Sequence, residues 1–304
     1  MSIPTSPTRI FEAGLTTWRY ASPRDSHLLI ESLDQAERVD RTPLPERQAL
    51  VKRNANIHNT RRREGYTAYV KYRPARNVIL TCLYTGAVDP QRGTRMKADA
   101  KSLDTLTRSA RPHPVVVLHD ELDAADVDNV TYTKAPNSAN VYFQRWINAY
   151  QWLRDHPEVS RVLCCDGTDV EILQPDRLFD IPAGSLLVGS EHQVVGCEWM
   201  RANHPDSGIG EFLEVHRGKQ LLNAGVLAGE RSLVMAVLRD IIHAWADIEM
   251  NAFLQKSKGN GVGDMAIFNM VLYTRYADRI IFGPSVTTHF KANERNGFSL
   301  IKHK

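Results

Sequence analysis

The chain is expected to form an α/β fold with a mainly parallel central sheet and an N-terminal extension, on three observations. From residue 77 onward, short apolar runs alternate with longer segments of helical periodicity. The runs are too short for helices and are not broken by polar residues, as in strands buried on both faces. One of them, Val162 to Cys165, stops at a carboxylate. In open α/β sheets, the carboxyl ends of strands are where ligands collect.

The 304 residues are 42% hydrophobic and 24% charged, enough for one large α/β domain plus an extension. The division falls between an extension, 1–75, and a main domain, 76–304. No apolar stretch approaches the ~20 residues of a membrane span. The opening Met-Ser-Ile-Pro-Thr-Ser-Pro-Thr-Arg lacks the apolar core of a secretory signal. The four cysteines (Cys82, Cys164, Cys165, Cys197) show neither a disulfide framework nor zinc spacing. Reduced thiols and a cytoplasmic location are therefore expected. The net charge of +3 is unevenly spread. Residues 41–76 hold ten basic side chains against two acidic ones, a local +8, so the remaining 28 basic and 33 acidic groups leave −5. Such a segment is a solvated face, a binding surface for an anionic acceptor, or a cover over the substrate cleft.

In order along the chain, residues 1–26 are rich in Pro, Ser and Thr and read as an irregular arm. His27 to Asp40 has the pattern of a short helix, which Pro43 and Pro45 end. Val78 to Tyr84 is a strand running into Thr85-Gly86, and Tyr84 and Thr85 at its end are candidate substrate contacts. A loop over Asp89 to Arg95 leads to a helix over Ala98 to Ala110. Pro114 to Leu118 is the second strand and Val127 to Thr133 the third. Asn137-Ser138 can cap a helix to about His156, with Val141, Trp146, Ile147, Tyr150 and Leu153 on one face. The strand ending at Asp166 follows, then a fifth at Ser185 to Gly189, with Glu191 and His192 beyond it as acceptor-side candidates. Leu221 to Ala228 is a strand of small residues. From Ser232, Leu233, Val237, Ile241 and Trp245 recur at helical spacing. Gly259-Asn-Gly-Val-Gly263 leads into a helix carrying Ala266, Ile267 and Met270; its glycines suit a phosphate cradle but match no P-loop.

Asp166-Gly-Thr-Asp169 is the candidate centre. Asp-Gly is a strong turn signal, and a tight hairpin is its plainer reading. At a strand mouth, however, two carboxylates can share a hard divalent cation, Mn2+ or Mg2+, which takes oxygen ligands together with substrate phosphates.

Three features then line up: this Asp pair, Leu222-Asn-Ala-Gly-Val-Leu227, and Gly263-Asp264-Met-Ala266. Over roughly residues 77–290 the chain resembles the GT-A type of nucleotide-sugar glycosyltransferase, a Rossmann-like fold. The likeness is to the retaining group related to glycogenin and to bacterial galactosyl- and glucosyltransferases. The resemblance implies hexosyl transfer from a UDP- or GDP-sugar, with retention at the anomeric carbon. It implies Mn2+ or Mg2+ held by Asp166, Asp169 and His289, with Asp166 also facing the donor diphosphate. Asn223, Ala224 and Gly225 match the strand lining the sugar pocket, and Asp264 matches the acidic residue that contacts the donor sugar. His289-Phe290 is similar to the family's His-Phe pair, and Lys291 follows as a candidate phosphate contact where the family has Gly and Lys-Pro-Trp. The acceptor stays open: protein, saccharide, lipid or modified nucleic acid.

Plainer roles exist for the same residues: Asp264 as an N-cap, His289 as a surface histidine, Asn223 as a buried amide bonded to backbone. Asp166-Gly-Thr is also similar to haloacid-dehalogenase-type phosphatases, but Cys164 stands where their nucleophilic aspartate would be. Two further functions are weighed. One is a nucleotidyltransferase on a similar sheet, for which Thr85 to Gly93 is a poor phosphate loop. The other is a nucleic-acid-binding protein using residues 41–76.

Overall fold

The computed structural model describes residues 76–303, apart from 138, 258, 262 and 288–296. The proposed extension, 1–75, and the residues His289 and Lys291 lie outside the described residues.

A seven-stranded sheet in the order β3-β2-β1-β4-β7-β6-β8 forms the centre. Its members are β1 (Arg76–Leu83), β2 (Val115–His119), β3 (Val130–Lys134), β4 (Val159–Asp166), β6 (Leu186–Val194), β7 (Gln220–Glu230) and β8 (Ile280–Ile281). The first four run parallel, as do β6 and β8, whereas β7 is antiparallel to both neighbours. The sheet is therefore mostly parallel, as expected, with the Asn-Ala-Gly strand reversed between β4 and β6. A second sheet, β5-β10-β9, joins β5 (Val170–Ile172), β10 (Ile301–His303) and β9 (Val286–Thr287).

Alternating residues of the central strands feed two separate cores, as the period-2 geometry of a strand requires. Val78, Leu80, Val116 and Leu118 pack beneath α2 (Val141–Asp155), α5 (Arg231–Gln255) and α6 (Met265–Arg275). Ile79, Val115, Val117 and Leu163 face the other way. There they meet α1 (Asp104–Ser109), through Leu106, and the small sheet, through Val170, Ile172, Val286 and Ile301. α2 is the central helix of its layer. Phe143 lies parallel to Trp245 of α5 with ring centroids 4.4 Å apart, and Trp146 stacks on Phe268 of α6 at 6.0 Å. Aromatic packing of this kind adds to the area it buries.

Several elements differ from expectation. The helix foreseen over 98–110 is a 3-10 turn, Ala100–Leu103, capped by Asp99, followed by the six residues of α1. The third strand starts at Val130, because Asp128 takes a positive φ of 52° and turns the chain before it. α2 is capped by Asn140, whose side chain accepts from the Tyr142 amide; Asn137 is engaged elsewhere, donating to Asp120. The short helices α3 (Glu198–Asn203) and α4 (Ser207–Val215), and the small sheet, went unforeseen. No helix among the described residues is long and apolar enough to cross a membrane.

Candidate functional site at the mouth of the fourth strand

β4 delivers Asp166 beside the end of β1, with Cys82 its register partner. Thr81 Oγ1 donates to the Cys165 carbonyl at 2.8 Å, tying the two strands just before the carboxylate. The chain then turns at Gly167, where a Cβ would lie 2.6 Å from Leu103 Cδ2 and 2.9 Å from Thr81 Oγ1. A side chain there would press into Leu103 and Thr81, so glycine lets the turn pack onto the sheet, and Asp169 follows just before β5.

The small sheet then supplies a partner from the far end of the chain. β10 pairs antiparallel with β5 and sets His303 opposite Val170, the residue after Asp169. His303 Nε2 comes 3.3 Å from Asp166 Oδ2 and 3.9 Å from Asp169 Oδ1. One ligand atom from each of the three lies within 4.8 Å of the others. The His303 ring is fully buried, and its Nδ1 has no hydrogen-bond partner among the described residues. Gly225 of β7 makes the convergence possible. A Cβ there would press into the His303 ring and come within 2.7 Å of Asp166 Oδ2. Two carboxylates and an imidazole around a space that only glycine leaves open suit a small divalent cation, since hard cations take carboxylate oxygen and many also accept imidazole.

The other oxygen of Asp166 is held by a residue that sequence reasoning missed. Arg145 of α2 reaches Asp166 Oδ1 through Nη1 at 2.5 Å. Its Nη2 and Nε donate to Asp264 Oδ2 at 2.6 and 3.1 Å, and Nη2 also donates to the Ala224 carbonyl at 3.1 Å. The guanidinium lies 4.2 Å over the Trp146 ring, a cation–π arrangement. Burial alone would lower the Arg145 pKa; the adjacent Asp264 and Asp166 carboxylates outweigh it and hold the value above the ordinary one. Arg145 therefore stays a cation within a group that carries three carboxylates.

Asp264 is 3% exposed and also accepts from Trp146 Nε1 at 2.7 Å. It precedes α6 but makes no side-chain cap bond to that helix. The plain N-cap role is thus set aside; its carboxylate is turned into the site. Asn223 accepts from the Gly225 amide at 2.7 Å and donates to Glu191 Oε1 of β6. It ties the Asn-Ala-Gly strand to the acceptor-side candidate.

All of these groups but His303 line a cavity of about 650 Å3, whose walls include Tyr84, Arg145, Asp169, Glu191, Asn223 and Asp264. That is ordinary for a small-ligand site. Asp166, Ala224 and Gly225 also line it. Tyr84 is anchored by Asn148 Nδ2, which donates to its hydroxyl at 2.6 Å, and burial pushes its pKa well up. Thr85 is placed differently from expectation. It does not line the cavity; its amide, like that of Gly86, donates to Asp120 at 2.9 Å. Asp120 thereby pins the loop after β1. Before α6, Glu249 accepts from the Asn260 amide, Asn260 Nδ2 donates to the Gly263 carbonyl, and Gly263 lines the cavity.

One signal for Arg145 was available, namely an arginine one residue before Trp146 and Ile147 on the face of a core helix, where an unpaired charge is costly. Nothing local links His303 to Asp169.

No family model matches the chain, and no curated protein matches it in sequence. The fold and site together define an α/β protein with a carboxylate–imidazole cluster at a strand mouth, beside a cavity of ligand size.

Proposed function

We propose that this chain is a metal-dependent glycosyltransferase of GT-A type, moving a hexosyl group from a UDP- or GDP-sugar to an acceptor. The observation that carries the reading is the meeting of Asp166, Asp169 and His303 at the cavity, with Asp264 and Arg145 fixed beside them. His303 offers an imidazole for the metal role that the resemblance gave to His289, which lies outside the described residues.

The residues divide the work as follows. Mn2+ or Mg2+ held by Asp166, Asp169 and His303 would supply Lewis-acid neutralisation of a diphosphate leaving group. To ligate through Nε2, His303 carries its proton on Nδ1. Arg145, kept charged by its two carboxylate partners, offers charge-assisted bonds to phosphate or to a sugar hydroxyl. Asp264 and Asn223 line the same cavity and can orient donor hydroxyls. Their own partners lock them in place, so little order is lost on binding. The resemblance favours retention at the anomeric carbon.

The nucleotidyltransferase reading loses support from the loop after β1. Its amides at Thr85, Gly86, Gln91 and Arg92 already donate to the Asp120 and Asp89 carboxylates, where a phosphate cradle needs them open.

Titrating UDP-glucose, UDP-galactose and GDP-mannose by calorimetry, with and without Mn2+, tests the proposal. Binding to at least one that depends on Mn2+ supports it, and metal-independent or absent binding to all three overturns it.

A further inference from the structure

We infer that the acceptor is a saccharide whose ring stacks on Trp199; this rests on the glycosyltransferase reading and names its second substrate. Nine large hydrophobic side chains among the described residues are exposed, and only Trp199 of these lines the cavity. The residue is 42% exposed. The ring meets the buried His204 edge-on with centroids 6.0 Å apart, and Asn203 Nδ2 donates to the Trp199 carbonyl at 2.9 Å. An exposed aromatic ring lining a cavity offers a flat apolar face to a ligand.

Its neighbours say what covers it. Glu191, His192 and Gln193, at the exposed end of β6, line the same cavity. They supply carboxylate, imidazole and amide groups, so both donors and acceptors. The carbonyls of Glu191 and Gln193 already accept from Gln220 Nε2, which fixes this strand end and leaves its side chains to face the ligand. A pyranose has the matching form: one face of C–H bonds, polarised positive, and a rim of hydroxyls that each donate and accept. The C–H face suits the negative π-face of an indole. A lipid acceptor would call for a run of exposed apolar side chains, whereas among the described residues lining the cavity Trp199 is the one large apolar side chain that is exposed. A peptide acceptor would dock on strand carbonyls that Gln220 occupies here. Glu191 also accepts from Asn223, so the acceptor wall is joined to the donor wall by one hydrogen bond. The acceptor hydroxyl is thereby brought to the edge of the donor pocket.

The test uses the full chain with Mn2+ and UDP or GDP present, and the methyl α-glycosides of glucose, galactose and mannose with their disaccharides as probes. Saturation-transfer NMR should show transfer to ring C–H protons of at least one probe. W199A should weaken that binding about tenfold, and W199F should restore most of it, since stacking of this kind is worth roughly a decade in affinity. A thermal melt of W199A close to the parent confirms that the exposed ring was removed without unfolding. No transfer to any probe, in protein that binds the nucleotide with Mn2+, overturns the saccharide inference and leaves the glycosyltransferase reading standing. Equal binding by W199A and the parent overturns the role of Trp199. Glycoside binding lost in W199A, in protein that binds no nucleotide, supports the stacking site and overturns the donor reading instead.

Discussion

Two buried aspartates in this molecule look alike and sit in different networks. Asp240, in α5, and Asp264, before α6, are 4% and 3% exposed, and each is paired with arginine. Asp240 accepts from Arg239 at 2.7 and 2.9 Å and from the Tyr276 hydroxyl at 3.0 Å, and it pairs with Arg275 at 3.0 Å. All of these partners come from α5, α6 and the residue ending α6, and none lines the cavity. Its cluster is closed, a clamp between two helices. Asp264 shares its arginine with Asp166, whose second oxygen turns toward His303 and Asp169 at the cavity. A buried ion pair is therefore no sign of a site in itself. What sets the candidate site apart is a network that reaches a cavity, with Asp166, Asp169, Arg145 and Asp264 all lining it.

The largest expected effect falls on the open cluster. Asp169→Ala should reduce Mn2+-dependent transfer or donor hydrolysis by about a thousandfold, on the order of 4 kcal/mol in the barrier. Its melting temperature should stay near that of the parent, because the side chain is about one-third exposed. A variant that keeps its rate would break the contrast between the two clusters.

Asp240→Asn should do the opposite. Removing one charge from a buried pair costs about 3 kcal/mol, and for a domain of this size that lowers the melting point by roughly 6–12 °C. Activity per folded molecule should be kept. Calorimetric melts combined with initial rates measure both, and a catalytic loss at full foldedness would show the clamp to be part of the site.

Gly225→Ala sharpens the comparison. The added methyl meets His303 and Asp166, so apparent Mn2+ affinity should fall on the order of a hundredfold, as when the support of a metal ligand is disturbed. Titrating Mn2+ against the variant, by the nucleotide binding it promotes, reads this directly. Unaltered affinity would place the cation elsewhere.

The smallest effect is acid lability of the closed clamp. Burial raises the Asp240 carboxyl pKa, but bonds from Arg239, Arg275 and Tyr276 outweigh it, so the folded value lies below the usual 3.8. Asp120 is depressed in the same way, burial being outweighed by Asn137 and by the amides of Thr85, Glu121 and Gly86. A carboxyl with a depressed folded pKa stabilises fully above its unfolded value and loses that contribution as pH falls through the folded one. Stability should thus decline below about pH 4, and Asp240→Asn should flatten that decline in acid melts followed by circular dichroism.

Much of this was legible in the sequence for local reasons. Strands β1, β2, β4, β6 and β7 are apolar runs bounded by turn residues, and the apolar stripes of α2, α5 and α6 have helical period. Asp166 and Asp169 follow from one short stretch, since the strand, its terminal carboxylate and the glycine turn are neighbours in the chain. The short helices after β6 and the two- and three-residue strands are too brief for periodicity to register.

Tertiary structure decided what completes the site. A period of two or 3.6 tells which face a residue takes but not which element it meets there. His303 reaches Asp166 across 137 positions, through the pairing of two three-residue strands. Arg145 joins Asp166 to Asp264 from a helix that sequence alone marks only as core-facing. The sequence by itself thus determined the long strands of the sheet and placed two carboxylates at a strand mouth. Only long-range pairing brought them an imidazole and a guanidinium, because contacts so distant in the chain are set by the packing of whole layers and leave no local pattern.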